Sequence, residues 1–314
     1  MKRRLAAALL TVLAAALLLG SAQAPGLDPF VGYESMPCPD SICVVYYPHR
    51  LEPMAREVEG IIEISAPRIA RELGLDTIRA MRVYIAADNP SFSYLHGNRL
   101  PDWGAAFSEL GSQMLGINAT LVLRSPRPLT YVVCHELSHL LLAQRVAGVP
   151  VPRWFLEGLA LKQAQEWDFS DTWELMNLAA RKKIPVLDDL ARSFPWQRDE
   201  ATLAYGESYV AVEELFRERP GTLATMTAFV RDRRDFGSAF ETTFGRTPSE
   251  FSAVVSGIMY RKYKVPGAIV NTAPFWVAFA LLFIGVYLAK LAQTRRKIEM
   301  WERRDGRRPP TLFT

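Results

Sequence analysis

One apolar run constrains this chain more than any other feature. From Pro274 to Leu291 there are eighteen residues without a charge until Lys290, among them Phe275, Trp276, Val277, Phe279, Leu281, Leu282, Phe283, Ile284, Val286 and Leu288. As a helix at 1.5 Å per residue they reach ~27 Å, close to the hydrocarbon thickness of a bilayer. Trp276 and Tyr287 fall near the two ends, where an aromatic belt is expected, and Arg295-Arg296-Lys297 follow at once. Positive flanks stay cytoplasmic, so the expectation is one transmembrane helix with the C-terminus in the cytoplasm. A buried core helix would leave those cations without a purpose.

The N-terminus carries a second signal. Lys2-Arg3-Arg4 precede a run of Ala, Leu and Val from Leu5, closed by small residues at Gly20 to Ala24. This is the layout of a secretory signal peptide over residues 1–24, with cleavage after Ala22 or Ala24; an uncleaved anchor is the other reading. The net charge is +4, but the cations concentrate at these two ends, with eight Lys/Arg against three Asp/Glu over residues 290–314. The body between is acidic on balance, which speaks against a nucleic-acid partner. Three cysteines are too few for a disulfide-stapled scaffold. Cys38 and Cys43, with four residues between them, lie in a body expected to be exported, where they form either a small disulfide loop or two free thiols. Cys134 lies in an apolar helix and reads as a packed small hydrophobe.

Four segments follow: signal peptide 1–24, an extracytoplasmic domain 25–265, a transmembrane helix with its lead-in 266–292, and a basic cytoplasmic tail 293–314 ending near Pro309-Pro310. The expected location is a bacterial cytoplasmic (inner) membrane, crossed once. Within the body, Ile42–Tyr47 and Met81–Ala86 read as strands, and Trp103–Phe107 and Ile117–Arg124 as further strand candidates. Glu52–Leu73 has helical spacing and stops at Gly74. Residues 88–101, with Asn, Pro, Ser and Gly, read as loop. Pro126 and Pro128 open a helix to about Ala147, Pro152 starts the next, and beyond residue 170 the pattern is helical throughout. Ser249–Tyr263 reads as a short amphipathic helix leading to the membrane. The fold class is therefore α+β, with a small early sheet, an active-site helix and a helical C-terminal half.

The chemistry concentrates at His135-Glu136-Leu137-Ser138-His139, in a chain with only four histidines. On a helix His135 and His139 leave one face, where two neutral imidazoles can meet one Zn²⁺ at ~2.0–2.1 Å. Glu136 is displaced around the helix, unsuited as a ligand but able to reach a water. A catalytic zinc needs a third protein ligand, and Glu157, eighteen residues after His139 on the next helix, is the best candidate. Gly158 beside it permits a close helix approach. His49, His96, Glu166 and Asp168 are weaker alternatives. The sequon Asn118-Ala119-Thr120 falls inside a strand candidate, and Arg231–Arg234 reads as a solvated face.

H-E-L-S-H followed by Pro152-Arg153-Trp154-Phe155-Leu156-Glu157-Gly158-Leu159-Ala160 resembles the gluzincin zinc metallopeptidases, most closely the peptidase MA-like family. The resemblance extends from about Val44 to Val254, including Asp102-Trp103-Gly104-Ala105-Ala106 and Tyr205-Gly206-Glu207-Ser208-Tyr209. It implies a zinc-dependent hydrolase of peptide bonds in extracytoplasmic proteins or peptides, with His135, His139 and Glu157 as ligands and Glu136 as general base. It also implies an oxyanion donor from the C-terminal helices, with Tyr205 first and Tyr209 the alternative. Relatives place a substrate-binding edge strand where Trp103–Phe107 lies; a buried core strand fits those residues as well. A second functional class is a catalytically silent zinc-binding scaffold of the envelope, though both Glu136 and the ligands are in place.

Overall fold

The computed structural model describes residues 30–97 and 104–305. The signal peptide read at residues 1–24, Asp102 and Trp103, and the end of the tail with Pro309-Pro310 lie outside the described residues. The architecture is mixed α/β: a five-stranded sheet early in the chain, helices in the rest, and one long apolar helix near the C-terminus.

In chain order, β1 (Glu34–Pro37) and β2 (Cys43–Tyr47) precede α1 (Glu52–Leu73), β3 (Met81–Ala86), α2 (Asn89–His96), β4 (Ala106–Glu109), β5 (Met114–Asn118) and α3 (Ala119–Val122). The sheet order is β1-β2-β3-β5-β4. β2, β3 and β5 run parallel, with Cys43 opposite Met81 and Val83 opposite Leu115, while β1 and β4 add antiparallel at the edges. β2 alternates, burying Cys43, Val45 and Tyr47. β5 is buried at every residue, as a central strand covered on both faces must be. Phe107 on β4 faces Gly116 on β5, and a Cβ at Gly116 would lie within 3 Å of three atoms of the Phe107 ring. The ring therefore fills the place that a side chain at 116 would take.

The helical part contains α4 (Leu129–Arg145), α5 (Arg153–Ala164), α6 (Phe169–Arg181), α7 (Arg198–Glu218), α8 (Leu223–Arg233), α9 (Phe236–Phe244) and α10 (Pro248–Met259). A π-helical turn at Tyr260–Lys264, α11 (Val265–Val270) and α12 (Ala273–Asp305) complete it. Asp168 caps α6 and Thr247 caps α10, each through a reciprocal capping box. An aromatic cluster of Trp154, Phe155, Phe236, Phe240 and Phe251 joins α5 to α9 and α10. Two compact units result. One contains the described residues up to Pro67 together with Ile78–Leu140, and the other contains Arg68–Thr77 and the described residues from Leu141 onward. Within α12, Pro274–Trp301 is long and apolar enough to cross a membrane, and none of its apolar window is buried.

Three expectations need correction. Residues 88–101 are not all loop: Asp88 accepts a hydrogen bond from the Ser91 N–H and caps α2, with Pro90 in the first turn. The strand expected at Ile117–Arg124 lies earlier and ends at Asn118, whose side chain accepts from the Leu121 N–H and starts α3. The candidate at Trp103–Phe107 lies later, as β4 at Ala106–Glu109, and it is an edge strand. β1 carried too little apolar patterning to be read. Cys38 and Cys43 are disulfide-bonded, with Cα atoms 5.0 Å apart. Cys134 is buried, its Sγ 3.1 Å from Ser65 Oγ. Asn118 is buried as well and donates to Asn89 Oδ1, so the sequon offers no acceptor at the surface.

Candidate metal centre

Residues 129–145 form a helix because Leu129, Val133, Leu137, Leu140 and Leu141 bury one stripe, while Pro126 and Pro128 confine its start. Its other end is turned by Ala147 and Gly148, both with positive φ, ahead of Pro150 and Pro152. On this helix His135 and His139 are half-buried, their ring centroids 4.9 Å apart and edge to face. Glu157 lies in α5, which Pro152 caps, and it is buried. A ring nitrogen of each histidine and a carboxylate oxygen of Glu157 lie within 4.8 Å of one another.

Two imidazoles and one carboxylate are the donor set of a catalytic zinc with an open fourth position. Tetrahedral ligands at 2.0–2.1 Å stand about 3.3 Å from each other, inside the 4.8 Å within which these three atoms lie. Arg153 Nε donates to Glu157 Oε1 at 3.3 Å from the preceding turn. Its guanidinium also lies over the Phe194 ring, 5.1 Å from the centroid. Glu136, half-buried, follows His135 by one residue and so leaves the helix about a third of a turn away.

The two tyrosines expected as alternative oxyanion donors lie in different surroundings. The Tyr205 ring meets the same Phe194 edge to face at 5.1 Å. Tyr209 instead stacks on Trp167 at 4.6 Å and lines a cavity of about 430 Å³ with Arg68, Glu72, Lys162, Gln165 and Glu213. Burial, and then the Glu213 carboxylate, push the Tyr209 hydroxyl up to about 12. The helices α5 and α7 run in the same sense: Gly158 abuts Ser208, and Lys162 is paired with Glu213. A Cβ at Gly158 would stand 2.2 Å from the Ser208 carbonyl oxygen, so only glycine allows this approach. Tyr205 thus belongs to the Arg153 and Glu157 end of α5, and Tyr209 to the Gln165 end.

Two features escaped the sequence reading. Glu207 on α7 is fully buried, and neither carboxylate oxygen has a hydrogen-bond partner among the described residues. Burial, with a contribution from Asp189, pushes its carboxyl up to about 8. In the other unit Glu34, His49 and Glu52 bring ligand atoms within 4.8 Å of one another. That group is a poorer site: His49 and Glu34 are exposed, and Arg56 already donates twice to Glu52 Oε1, at 3.1 and 2.6 Å. His96 is in ring contact with Phe92 and Phe107, and burial lowers its pKa. Neither His49 nor His96 belongs to the group containing Glu157, and Glu166 and Asp168 do not either. Comparison with protein-family models and with curated proteins finds no match to this chain.

Proposed function

We propose that the chain is a membrane-anchored zinc metallopeptidase. The observation that supports this reading most directly is the grouping of His135 and His139, on a helix that also carries Glu136, with the buried Glu157 of the next helix. Zinc bound there supplies Lewis acidity, which polarises a carbonyl and brings the acidity of water toward neutral pH. Glu136 takes a proton from the attacking water as general base and returns it to the leaving amine. The Tyr205 hydroxyl donates to the oxygen on which negative charge develops. Arg153, paired with Glu157, orients that carboxylate. No described strand pairs with the outer edge of β4, which offers its backbone groups to an extended peptide.

The Cys38–Cys43 disulfide supports an extracytoplasmic body, since such bonds persist in oxidising compartments. Among the described residues α12 is the anchor, and Arg295, Arg296 and Lys297 hold its C-terminal end in the cytoplasm of a bacterial cell.

The test uses purified full-length protein in detergent. Wild type is expected to retain one zinc per chain, His139→Ala to lose it, and Glu136→Gln to keep zinc while losing proteolysis. Stoichiometric zinc in His139→Ala would overturn the ligand assignment. Undiminished proteolysis in Glu136→Gln would overturn the role of the base. Zinc binding in wild type without proteolysis of any exported or membrane protein, in cells or after purification, would favour the silent scaffold.

A further inference from the structure

We infer that the face formed by α6 and α11 rests on the bilayer surface, with Phe169 and Trp173 among the lipid headgroups. This rests on α12 crossing the membrane, as proposed above, and goes beyond it by giving the domain a lipid-contacting face of its own. The helix α11 is fastened to α6. Gly267 is so close to Met176 that a Cβ there would stand 2.2 Å from its carbonyl oxygen, and Ala180 is the next neighbour. Asn271 Nδ2 donates to Asn177 Oδ1 at 2.9 Å. Only Thr272 then separates Asn271 from the start of α12 at Ala273. Two peptide steps reach at most about 7 Å. The Asn177 side chain therefore lies within about 14 Å of the start of α12.

At 100° per residue, Phe169, Trp173, Met176, Asn177 and Ala180 share one stripe of α6. Leu175, Leu178 and Ala179 are buried on the opposite side. The helix α11 covers the Met176–Ala180 half of the stripe and leaves the Phe169–Trp173 half bare. Phe169 is 79% exposed and Trp173 39%, and on α11 Ile269 is 54% exposed. Asp171 and Glu174 leave the helix off this stripe. Exposed Arg181 is the last residue of α6 and exposed Lys183 follows it, and Arg261 and Lys262 precede α11. Exposed aromatic side chains on a stripe packed against the helix that leads into α12, with cations in the same segments, match an anionic lipid interface.

The full chain, reconstituted in phosphatidylethanolamine–phosphatidylglycerol vesicles, would carry one fluorophore on a cysteine introduced at 169, 173, 123 or 283. The native Cys134 is buried and the other two are disulfide-bonded. Leu123, exposed in the other unit, is the aqueous control, and Phe283 reports on α12. The label at 283 is expected to lose most of its emission to a deep lipid-borne quencher. Labels at 169 and 173 are expected to lose most of theirs to a shallow one, and the label at 123 to respond only to acrylamide. If 169 and 173 behave like 123 while 283 is quenched by lipid, the surface reading fails and the anchor stands. If 283 responds only to acrylamide, the anchor fails and this inference with it. Protection of 169 and 173 from both quenchers, dependent on protein density, would assign the face to a second copy and overturn the lipid contact.

Discussion

Replacing Glu207 by glutamine should make the helical unit more stable, and more so as pH rises. The Glu207 carboxyl is fully buried with no hydrogen-bond partner among the described residues, and burial moves its pKa from 4.5 to about 8. The folded state therefore holds a proton that the unfolded chain releases above pH 4.5. Stability is complete below that pH and falls as pH rises through 8, by about 1.4 kcal/mol per unit across the window. At pH 7 the accumulated loss is about 3 kcal/mol, and above pH 8 it levels at about 5 kcal/mol. Glutamine imitates the protonated carboxyl and does not titrate, so wild type and Glu207→Gln should melt together near pH 4.5. At pH 7 the variant should melt roughly 6–12 °C higher, at about 2–4 °C per kcal/mol for a unit of this size. Thermal unfolding of the full-length protein in detergent, followed by circular dichroism between pH 4.5 and 9, measures the difference directly. Parallel curves for the two proteins across that range would refute the burial argument.

Gly158→Ala should force α5 away from α7 at Ser208, costing about 1–3 kcal/mol and displacing Glu157, so both melting temperature and zinc content should fall. A variant that melts and binds zinc like wild type would show that the helices have slack there. Replacing both Cys38 and Cys43 by serine should destabilise by about 2 kcal/mol, the chain-entropy value for so short a loop, and dithiothreitol should lower the wild-type melting point to match. A reporter active only outside the cytoplasm should work when fused after Tyr263 and fail after Thr314; the reverse pattern would invert the orientation deduced from Arg295, Arg296 and Lys297.

The grouping of His135, His139 and Glu157 in the candidate site was legible because its signals are local. His135 and His139 are one turn apart in a helix whose apolar stripe is plain, and Glu157 follows a proline that starts the next helix. The strand Met81–Ala86 and the helix Glu52–Leu73 coincide with their β-branched and helical patterns. Local signals also misled where two chemistries share residues. Asp88, Asn89, Pro90 and Ser91 are turn formers, yet Asp88 followed by a first-turn proline is equally a helix start. Leu121-Val122-Leu123 look like strand continuing from Ile117, and only the cap made by Asn118 ends it. What remained illegible depends on partners distant in the chain. Tyr205 and Tyr209, one turn apart, separate only through Phe194 and Trp167. Glu207 looks solvated in Tyr-Gly-Glu-Ser-Tyr and is buried only because other helices cover it.

The pairing of Phe107 with Gly116 makes two positions, nine residues apart, a single heritable unit. A lineage cannot enlarge residue 116 while residue 107 is aromatic, because the ring already occupies that space. It must first shrink 107, passing through a strand pair that fills the space from neither side, and only then can the bulk reappear at 116. Drift across β4 and β5 is therefore gated by the order of two changes. Descendants of this chain would be expected to have a large residue at one of these positions and a small one at the other, seldom two of a kind.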